Sequence, residues 1–502
     1  MSGRVPRTAH ARTVAIDPRV ERFSVSPPRS RQNATATISD LPFGLVSAVA
    51  VVLLLGAAPI RAAEYPVEQP SRPLAEHVIL VSLDGLVPEY VTHPGDYGLR
   101  LPNIQALKDR GSWAEGVVGQ YPSSTYPSHT SIVTGVRPDR HGIFQNTRFD
   151  PQGEGEWFFE SNAITAPTLW QRAKDAGLVT AGVSWPVTVG SGIALHFPEV
   201  HQNPPNRTWL DLARSESTPG LIDAVVEKLG GFGASDNLDP IKRDIFATAV
   251  ATHIIRQSRP NLLLLHLVQT DYAQHATGRH SARSKRAFSR LDAHIGEIVK
   301  ACEDAGILAR TAFVITGDHG FYQVHSSFQP NVVLRRAGLL ETGPDGTITD
   351  WQAIAHRTTI RIRNPYDAEL ARKVESLFRD LAEGPYQGLL EVIDRKELDR
   401  LGADPEALLF LEPANGYTVG GGFDGDSFLV ATSRRGNHGY LPTKPEMHTG
   451  LVISGAGVLQ GLVMPIARQI DIAPTVARLL GFEMKGAEGV PMVGILQTQS
   501  PD

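Results

Sequence analysis

Six aspartate and histidine residues and one threonine stand where apolar runs end, and their spacing suits a nucleophile set among divalent cations. Asp84 closes the run His77-Val-Ile-Leu-Val-Ser-Leu83 and precedes Gly85. Asp271 and His275 are four apart in Asp271-Tyr-Ala-Gln-His275, so a helical turn puts both on one face, where they can grip a single cation. Asp318 and His319 are adjacent, and reach one ion together only if the backbone turns sharply, which the flanking Gly317 and Gly320 allow. His438, in the Gly-flanked turn Asn437-His438-Gly439-Tyr440, completes the set. The candidate nucleophile is Thr125, in Gln120-Tyr-Pro-Ser-Ser-Thr125-Tyr-Pro-Ser-His129. Pro127 suits the first turn of a helix, so the Thr125 hydroxyl should face free backbone N–H groups and the positive end of the helix dipole, which favour a phosphoryl anion. Taken singly, a Thr before a helix is most often an N-cap and an Asp before Gly most often a turn residue. Four strand ends carrying Asp84, Thr125, Asp271 and Asp318 together point to one convergent site.

Cysteine arithmetic narrows the metal chemistry. The chain has one cysteine, Cys302, which excludes an intramolecular disulfide and a cysteine zinc cage, while 17 histidines give ample supply. Carboxylate and imidazole ligands suit zinc or manganese better than a soft metal.

Positioning these residues requires strands that end at one edge of a sheet. His77–Leu83, Ser112–Val118, Leu178–Ser184, Asn261–Val268 and Thr311–Thr316 read as strands, and the continuous apolar ones are the mark of burial on both faces. Helices at Leu101–Arg110, Thr168–Ala176, Arg243–Gln257 and Ser284–Asp304 alternate with them. That rhythm predicts an α/β fold with a doubly wound, mostly parallel sheet, whose ligands collect beyond the carboxyl ends of the strands. Trp185 follows one strand directly and either lines the cleft or packs inside. Residues 190–240 are polar, Pro-rich and aperiodic, and read as a surface excursion near the cleft. The texture changes between Phe328 and Phe423, with strands near Thr358–Arg363, Leu389–Ile393 and Leu408–Glu412 and a helix at Ala368–Ala382, which reads as a small α+β insertion. A strand at Met447–Ser454 and a helix at Ile472–Leu480 return to the core. The expected division is therefore a core in two parts, 77–328 and 424–485, with the insertion 329–423 between them and a tail, 486–502.

Residues 1–40 carry seven arginines and no apolar period, and read as a disordered or misassigned extension. Leu41–Ile60 is apolar and uncharged and then meets Arg61-Ala-Ala-Glu64, so 41–63 is a signal peptide or a membrane anchor, and 64–76 a linker. Basic residues lie on its N-terminal side, which sends the body out of the cytosol, to the periplasm or beyond, free or anchored in the inner membrane. Without residues 1–63 the body keeps 40 basic and 50 acidic residues, a net charge near −10 that offers nucleic acid no general attraction. An anionic ligand must be held locally.

Five separated motifs in order, Val81-Ser-Leu-Asp84-Gly85, Thr125-Tyr-Pro-Ser-His129 with Thr134-Gly135, Asp271-Tyr-Ala-Gln-His275-Ala-Thr-Gly278, Asp318-His319-Gly320 and Asn437-His438-Gly439-Tyr440, resemble the nucleotide pyrophosphatase/phosphodiesterase (type I phosphodiesterase) branch of the alkaline phosphatase superfamily, from about Val78 to Leu480. The resemblance implies an alkaline phosphatase-like fold and two zinc ions, one held by Asp271, His275 and His438, the other by Asp84, Asp318, His319 and the Thr125 oxygen. It implies hydrolysis of a small-molecule phosphodiester or nucleotide through a threonyl-phosphate. Tyr126 matches the aromatic that follows the nucleophile and stacks on a base in family members. The chain departs from the pattern at Ser128, where family members often carry an Asn that helps bind the phosphoryl oxygen.

The chief rival on the same scaffold is a phosphomonoesterase or phosphonate hydrolase. No Arg neighbours Thr125 in the chain, and a dianionic monoester calls for a guanidinium there, which favours diesters. A sulfatase is excluded, since Cys302 is far from Thr125 and no Cys/Ser-x-Pro-x-Arg is present. A non-catalytic exported binding protein is the reading of another class.

Overall fold

Apolar runs without alternation must be covered on both faces, and three of them form the centre of a nine-stranded sheet in the computed structural model, which describes residues 72–153, 155–200, 208–230, 239–344 and 346–498. The expected extension 1–40, the export segment 41–63 and the linker as far as 71 lie outside the described residues. Strands β1 (His77–Leu83), β2 (Gly111–Val118), β3 (Thr180–Val183), β4 (Leu195–Phe197), β5 (Leu262–Leu267) and β6 (Thr311–Thr316) supply most of it. From one edge the order is Val463–Met464, β2, Thr449–Gly455, β6, β1, β5, β3, β4, with Ala467–Arg468 also on β2. β1 runs parallel to β5 and β6, and β3 parallel to β5 and β4. Only Thr449–Gly455 runs against its neighbours, β2 and β6. The doubly wound, mostly parallel α/β fold expected from the strand rhythm is what the chain adopts.

Alternate residues of the central strands serve two cores. Ile79, Val81, Leu263, Leu265, Phe313 and Ile315 pack beneath Pro240–Ser258 and Ala282–Asp304, which contribute Phe246, Val250, Phe288 and Leu291. Val78, Leu80, Leu264 and Val314 face the opposite side, against Ile132 and Val133 of the helix Thr125–Thr134 and Val476 and Leu479 of Ile472–Leu480. Each such side chain contributes about 1.5–3 kcal/mol of burial. Because Ile132 and Val133 anchor the Thr125–Thr134 helix on the sheet, its first residue is held at the carboxyl edge.

Residues 190–240 are not merely a surface excursion. β4 extends the sheet, and the helices Trp209–Glu216 and Leu221–Lys228 bury Trp209, Leu210, Ala213, Leu221, Ile222 and Val225 in the first core. Each helix is only eight residues long, too short for its apolar stripe to stand out among polar neighbours. Residues 486–498 are likewise packed in part, with Ile495 and Leu496 buried.

Beyond β6 the chain turns through Gly317 to Gly320 into β7 (Tyr322–Phe328). Neither glycine takes a left-handed φ. They are needed for close approach: a Cβ on Gly320 would meet the Glu446 carbonyl oxygen at 1.9 Å, and one on Gly317 would meet Leu86 backbone atoms at 2.9 and 3.0 Å. β7 pairs with Gly416–Val419, Leu429–Ala431 and Gly436–Asn437. A separate antiparallel sheet, in the order Ala353–His356, Thr359–Ile362, Leu409–Pro413, Leu390–Ile393, shares a core with the helix Ala368–Glu383 through Ile360, Leu409, Val374 and Phe378.

Candidate active site

β1, β2, β5 and β6 all point their carboxyl ends to one edge, and there the structure brings together all seven residues singled out by spacing. Asp84 follows β1 directly. Thr125 is the first residue of its helix, and Asp271 and His275 share a face of the helix Gln269–Thr277 that follows β5. Asp84, Asp318 and His319 form one group, and Asp271, His275 and His438 another. The two groups abut where the His319 and His438 rings stack, centroids 3.6 Å apart and 9° from parallel.

The hydrogen bonds around the imidazoles fix what these groups can do. Nδ1 of His275 lies 2.8 Å from Gly436 O, Nδ1 of His438 3.0 Å from Ser123 O and Nδ1 of His319 3.2 Å from Gly320 O. A carbonyl only accepts, so each Nδ1 carries the hydrogen and each Nε2 turns a lone pair inward. The carboxylates turn the same way. Asp318 Oδ1 accepts from the N–H groups of Gly85 and His319, which leaves Oδ2 without a partner. Asp84 Oδ2 lies 3.2 Å from His266 Nε2, which leaves Oδ1. Acceptors therefore face acceptors: His319 Nε2 is 3.4 Å from Asp84 Oδ1 and 3.3 Å from Asp318 Oδ2, and Asp271 Oδ1 is 3.1 Å from His275 Nε2 and 3.6 Å from His438 Nε2. Convergent lone pairs at such distances fit divalent cations. Burial, and then Asp318 and Asp271, hold Asp84 well above the usual carboxylate range, the strain a cation would relieve. Burial and then the neighbouring His319 push His438 below its ordinary value, which keeps the imidazole neutral with its lone pair free.

Thr125 joins the first group, its Oγ1 3.3 Å from His319 Nε2. It is not an N-cap; that position is Ser124, whose side chain makes no capping bond. The expected row of free N–H groups is largely engaged, however. Tyr126 N–H donates to Asn146 Oδ1, Pro127 has none and Ser128 N–H donates to Ser124 O. Asn146, absent from the sequence reading, lines the cleft beside Thr125, its Oδ1 accepting from Tyr126 N–H. Nothing marks it in the sequence, as a lone Asn in a loop.

Of the three residues expected to contact substrate, two lie away from the cleft. Ser128 and Trp185 are fully buried and do not line the cleft. Ser128 is on the sheet-facing helix, and Trp185 packs edge-on against His129, centroids 4.9 Å apart, which is the packing alternative for that residue. Tyr126 borders the cleft but is 1% exposed, with its ring against Trp157, Ile143 and Val187. Beneath the site lies a buried pair the sequence reading passed over, His129 and His266, ring centroids 4.2 Å apart. His266 was the detectable one, since a histidine inside an otherwise apolar strand must find partners; they are Asp84, Glu199 and Ser184 O.

The cleft above the two groups holds about 950 Å³, far more than a phosphoryl group needs. Its walls carry Trp157 and Tyr272, and Arg357 and Arg434 reach it from distant segments. The absence of an arginine beside Thr125 in the chain is therefore not an absence from the site.

Behind the Thr125–Thr134 helix, His141 receives the Ile143 N–H on Nδ1 and meets Ser131 Oγ at 2.9 Å through Nε2. Burial pulls it from the ordinary 6.5 down to about 3. Between those values the unfolded chain holds a proton that the folded chain lacks, so stability falls as pH drops from 6.5 towards 3, by about 1.4 kcal/mol per pH unit for this group. His141→Gln should flatten the acid limb of a denaturation series between pH 7 and pH 5 by about 2 kcal/mol at that slope. An unchanged limb would show that His141 titrates normally.

A family profile described as type I phosphodiesterase / nucleotide pyrophosphatase matches residues 78–441. Human ectonucleotide pyrophosphatase/phosphodiesterase family member 1 is 25% identical over 253 residues, covering 49% of this chain and 23% of that protein. A fission yeast (Schizosaccharomyces pombe) protein named as an uncharacterized pyrophosphatase/phosphodiesterase is 27% identical over 245 residues, covering 48% of this chain and 44% of that one. The match spans about a quarter of the length of the human, mouse and rat relatives. Murine ectonucleotide pyrophosphatase/phosphodiesterase 5 has the same fold, with a TM-score of 0.60 at 19% identity over 84% of this chain and 100% of that one.

Proposed function

Because the chain belongs to the type I phosphodiesterase / nucleotide pyrophosphatase family, we propose that it hydrolyses phosphodiester or pyrophosphate bonds of small nucleotide-type substrates, with Thr125 as nucleophile. The observation that carries this reading is the Thr125 hydroxyl 3.3 Å from His319 Nε2, beside two abutting sets of inward-facing acceptors.

Asp84, Asp318 and His319 would hold one zinc and Asp271, His275 and His438 the other. Bound there, such ions lower the pKa of the threonine hydroxyl and neutralise charge on the phosphoryl and leaving oxygens. Thr125 Oγ attacks phosphorus in line, and the bond to the leaving oxygen breaks on the opposite side. Water then attacks the threonyl-phosphate and breaks the bond between phosphorus and Oγ, which restores the hydroxyl. The Asn146 amide, its Oδ1 engaged by Tyr126 N–H, would donate through Nδ2 to a non-bridging oxygen.

Export to the periplasm or beyond rests on the apolar segment 41–60 and the arginines before it. Recovery of the whole chain in the cytosolic fraction would overturn that part.

A second reading, a phosphomonoesterase, draws support from the arginines at the cleft. Rates on bis-p-nitrophenyl phosphate and p-nitrophenyl phosphate, each with and without chelator, separate the two. The diester is expected to be cleaved faster, by at least about tenfold, which is about 1.4 kcal/mol of transition-state discrimination. Faster cleavage of the monoester would replace the first reading with the second, and turnover that survives chelation would remove the metal from both.

A further inference from the structure

Neither Thr125 nor any Asp or His of the two acceptor sets lies in the insertion 329–423. Yet one carboxylate of that insertion ties together the two loops that carry Thr125 and His438. Glu412, in the strand Leu409–Pro413, is 1% exposed and meets donors from both. The Tyr121 hydroxyl, in the loop that leads into Thr125, donates to Oε2 at 3.1 Å. From the segment after His438, the Leu441 N–H donates to Oε1 at 3.0 Å and Lys444 Nζ pairs with the same oxygen at 2.5 Å. Lys444 Nζ also donates to Pro413 O at 3.3 Å, which keeps it on this strand. The surroundings are apolar. The Tyr121 ring meets Phe410, centroids 5.0 Å apart, in a core with Ile393, Leu398 and Ala407.

Stability alone is a poor reason for a carboxylate in such a place, since the cost of desolvation offsets much of its attraction to Lys444. What it supplies is direction. Its two oxygens take donors from separate segments at defined angles, which an apolar side chain of the same volume cannot do. The joined loops also hold each other. His438 Nδ1 donates to Ser123 O, and Ser123 Oγ donates to Tyr440 O at 2.8 Å, so the His438 ring turns with the spacing between residues 121–123 and 438–441. Glu412 grips that pair of loops from outside, through Tyr121 on one and through Leu441 and Lys444 on the other. The geometry points to Glu412 as a positioning residue: from an insertion that contributes no acceptor, it sets the His438 imidazole against the nucleophile loop, and with it the third acceptor of the Asp271, His275 and His438 set. This rests on the two-set, Thr125-nucleophile reading above.

The test compares wild type, Glu412→Ala, Glu412→Gln and Tyr121→Phe, at a temperature where each is folded. Zinc is titrated into the metal-free proteins against an indicator dye, amide exchange is followed over residues 120–125 and 437–444, and turnover of bis-p-nitrophenyl phosphate is measured. Glu412→Ala is expected to weaken the second zinc about 10- to 100-fold, the usual effect of losing a residue that orients a ligand, and to leave the first unchanged. Exchange at the Leu441 amide should quicken, and kcat should fall at least about tenfold with KM within about threefold. Glu412→Gln keeps an acceptor for Leu441 and should recover most of the loss, and Tyr121→Phe, which removes one donor, should fall between. A Glu412→Ala protein that unfolds at lower temperature but binds both zinc ions and turns over like wild type would overturn the assignment. So would equal weakening of both sites, or a Glu412→Gln protein as impaired as Glu412→Ala. Should Glu412→Ala not fold, Tyr121→Phe decides: a weakened second zinc supports the assignment and an unchanged one overturns it. A wild type that binds no zinc and cleaves no diester would instead fail the proposed function, and the assignment would fall with it.

Discussion

Thr125→Ala is expected to fold, keep its metal and lose turnover of a phosphodiester by a thousandfold or more, about 4 kcal/mol of transition-state stabilisation at about 1.4 kcal/mol per decade. The fold gives little reason for the stability to change. Thr125 is the first helical residue, the cap is Ser124, and the helix is held to the sheet by Ile132 and Val133. Alanine at such a position costs less than the roughly 1 kcal/mol of a lost N-cap. A structural role and a chemical role therefore predict effects that differ by orders of magnitude in rate and by little in stability. A variant that folds, binds metal and retains activity within about tenfold of the parent would remove Thr125 from the chemistry.

Metal removal should be nearly as damaging. Metal analysis of the purified body is expected to find about two divalent ions, zinc foremost, and chelation to abolish hydrolysis. Ions at 1,000 times their Kd add about 4 kcal/mol of stability per site, so chelation should also lower the unfolding temperature. His438→Ala should leave one ion. It removes one of three atoms from the Asp271 and His275 set, but none from Asp84, Asp318 and His319. Activity should fall at least 100-fold, since even residues that only orient a ligand cost 10- to 100-fold. Full activity with no bound ion would leave the inward-facing lone pairs without an explanation, and with them the catalytic reading.

The fold was legible wherever a run was long and apolar enough to need cover on both faces. His77–Leu83 and Thr311–Thr316 have the bounds their composition suggests, as does the helix Ile472–Leu480. Legibility failed where helices were short, as at Trp209–Glu216 and Leu221–Lys228, and where strand residues were polar, as in Tyr322–Phe328 with its Gln323, His325, Ser326 and Ser327. At the site, residues announced by strand ends could be listed because sequence order and sheet order meet there. Asn146 and Arg434 could not, since their relevance lies in what they face across the fold. Ser128 misled for the same reason. Spacing from Thr125 gives no direction, and its helical turn sends it to the interior.

The position of Thr449–Gly455 between β2 and β6 has a consequence for synthesis. A nascent chain makes β1 to β6 long before that strand exists, and until then β2 and β6 each present an edge of unpaired N–H and C=O groups, a template for pairing with another chain. His438 arrives in the same late stretch, just ahead of the closing strand. Closure of the sheet and completion of the second acceptor set are thus one late event. Until both segments are made, the sheet lacks the strand between β2 and β6 and the second set lacks its third acceptor.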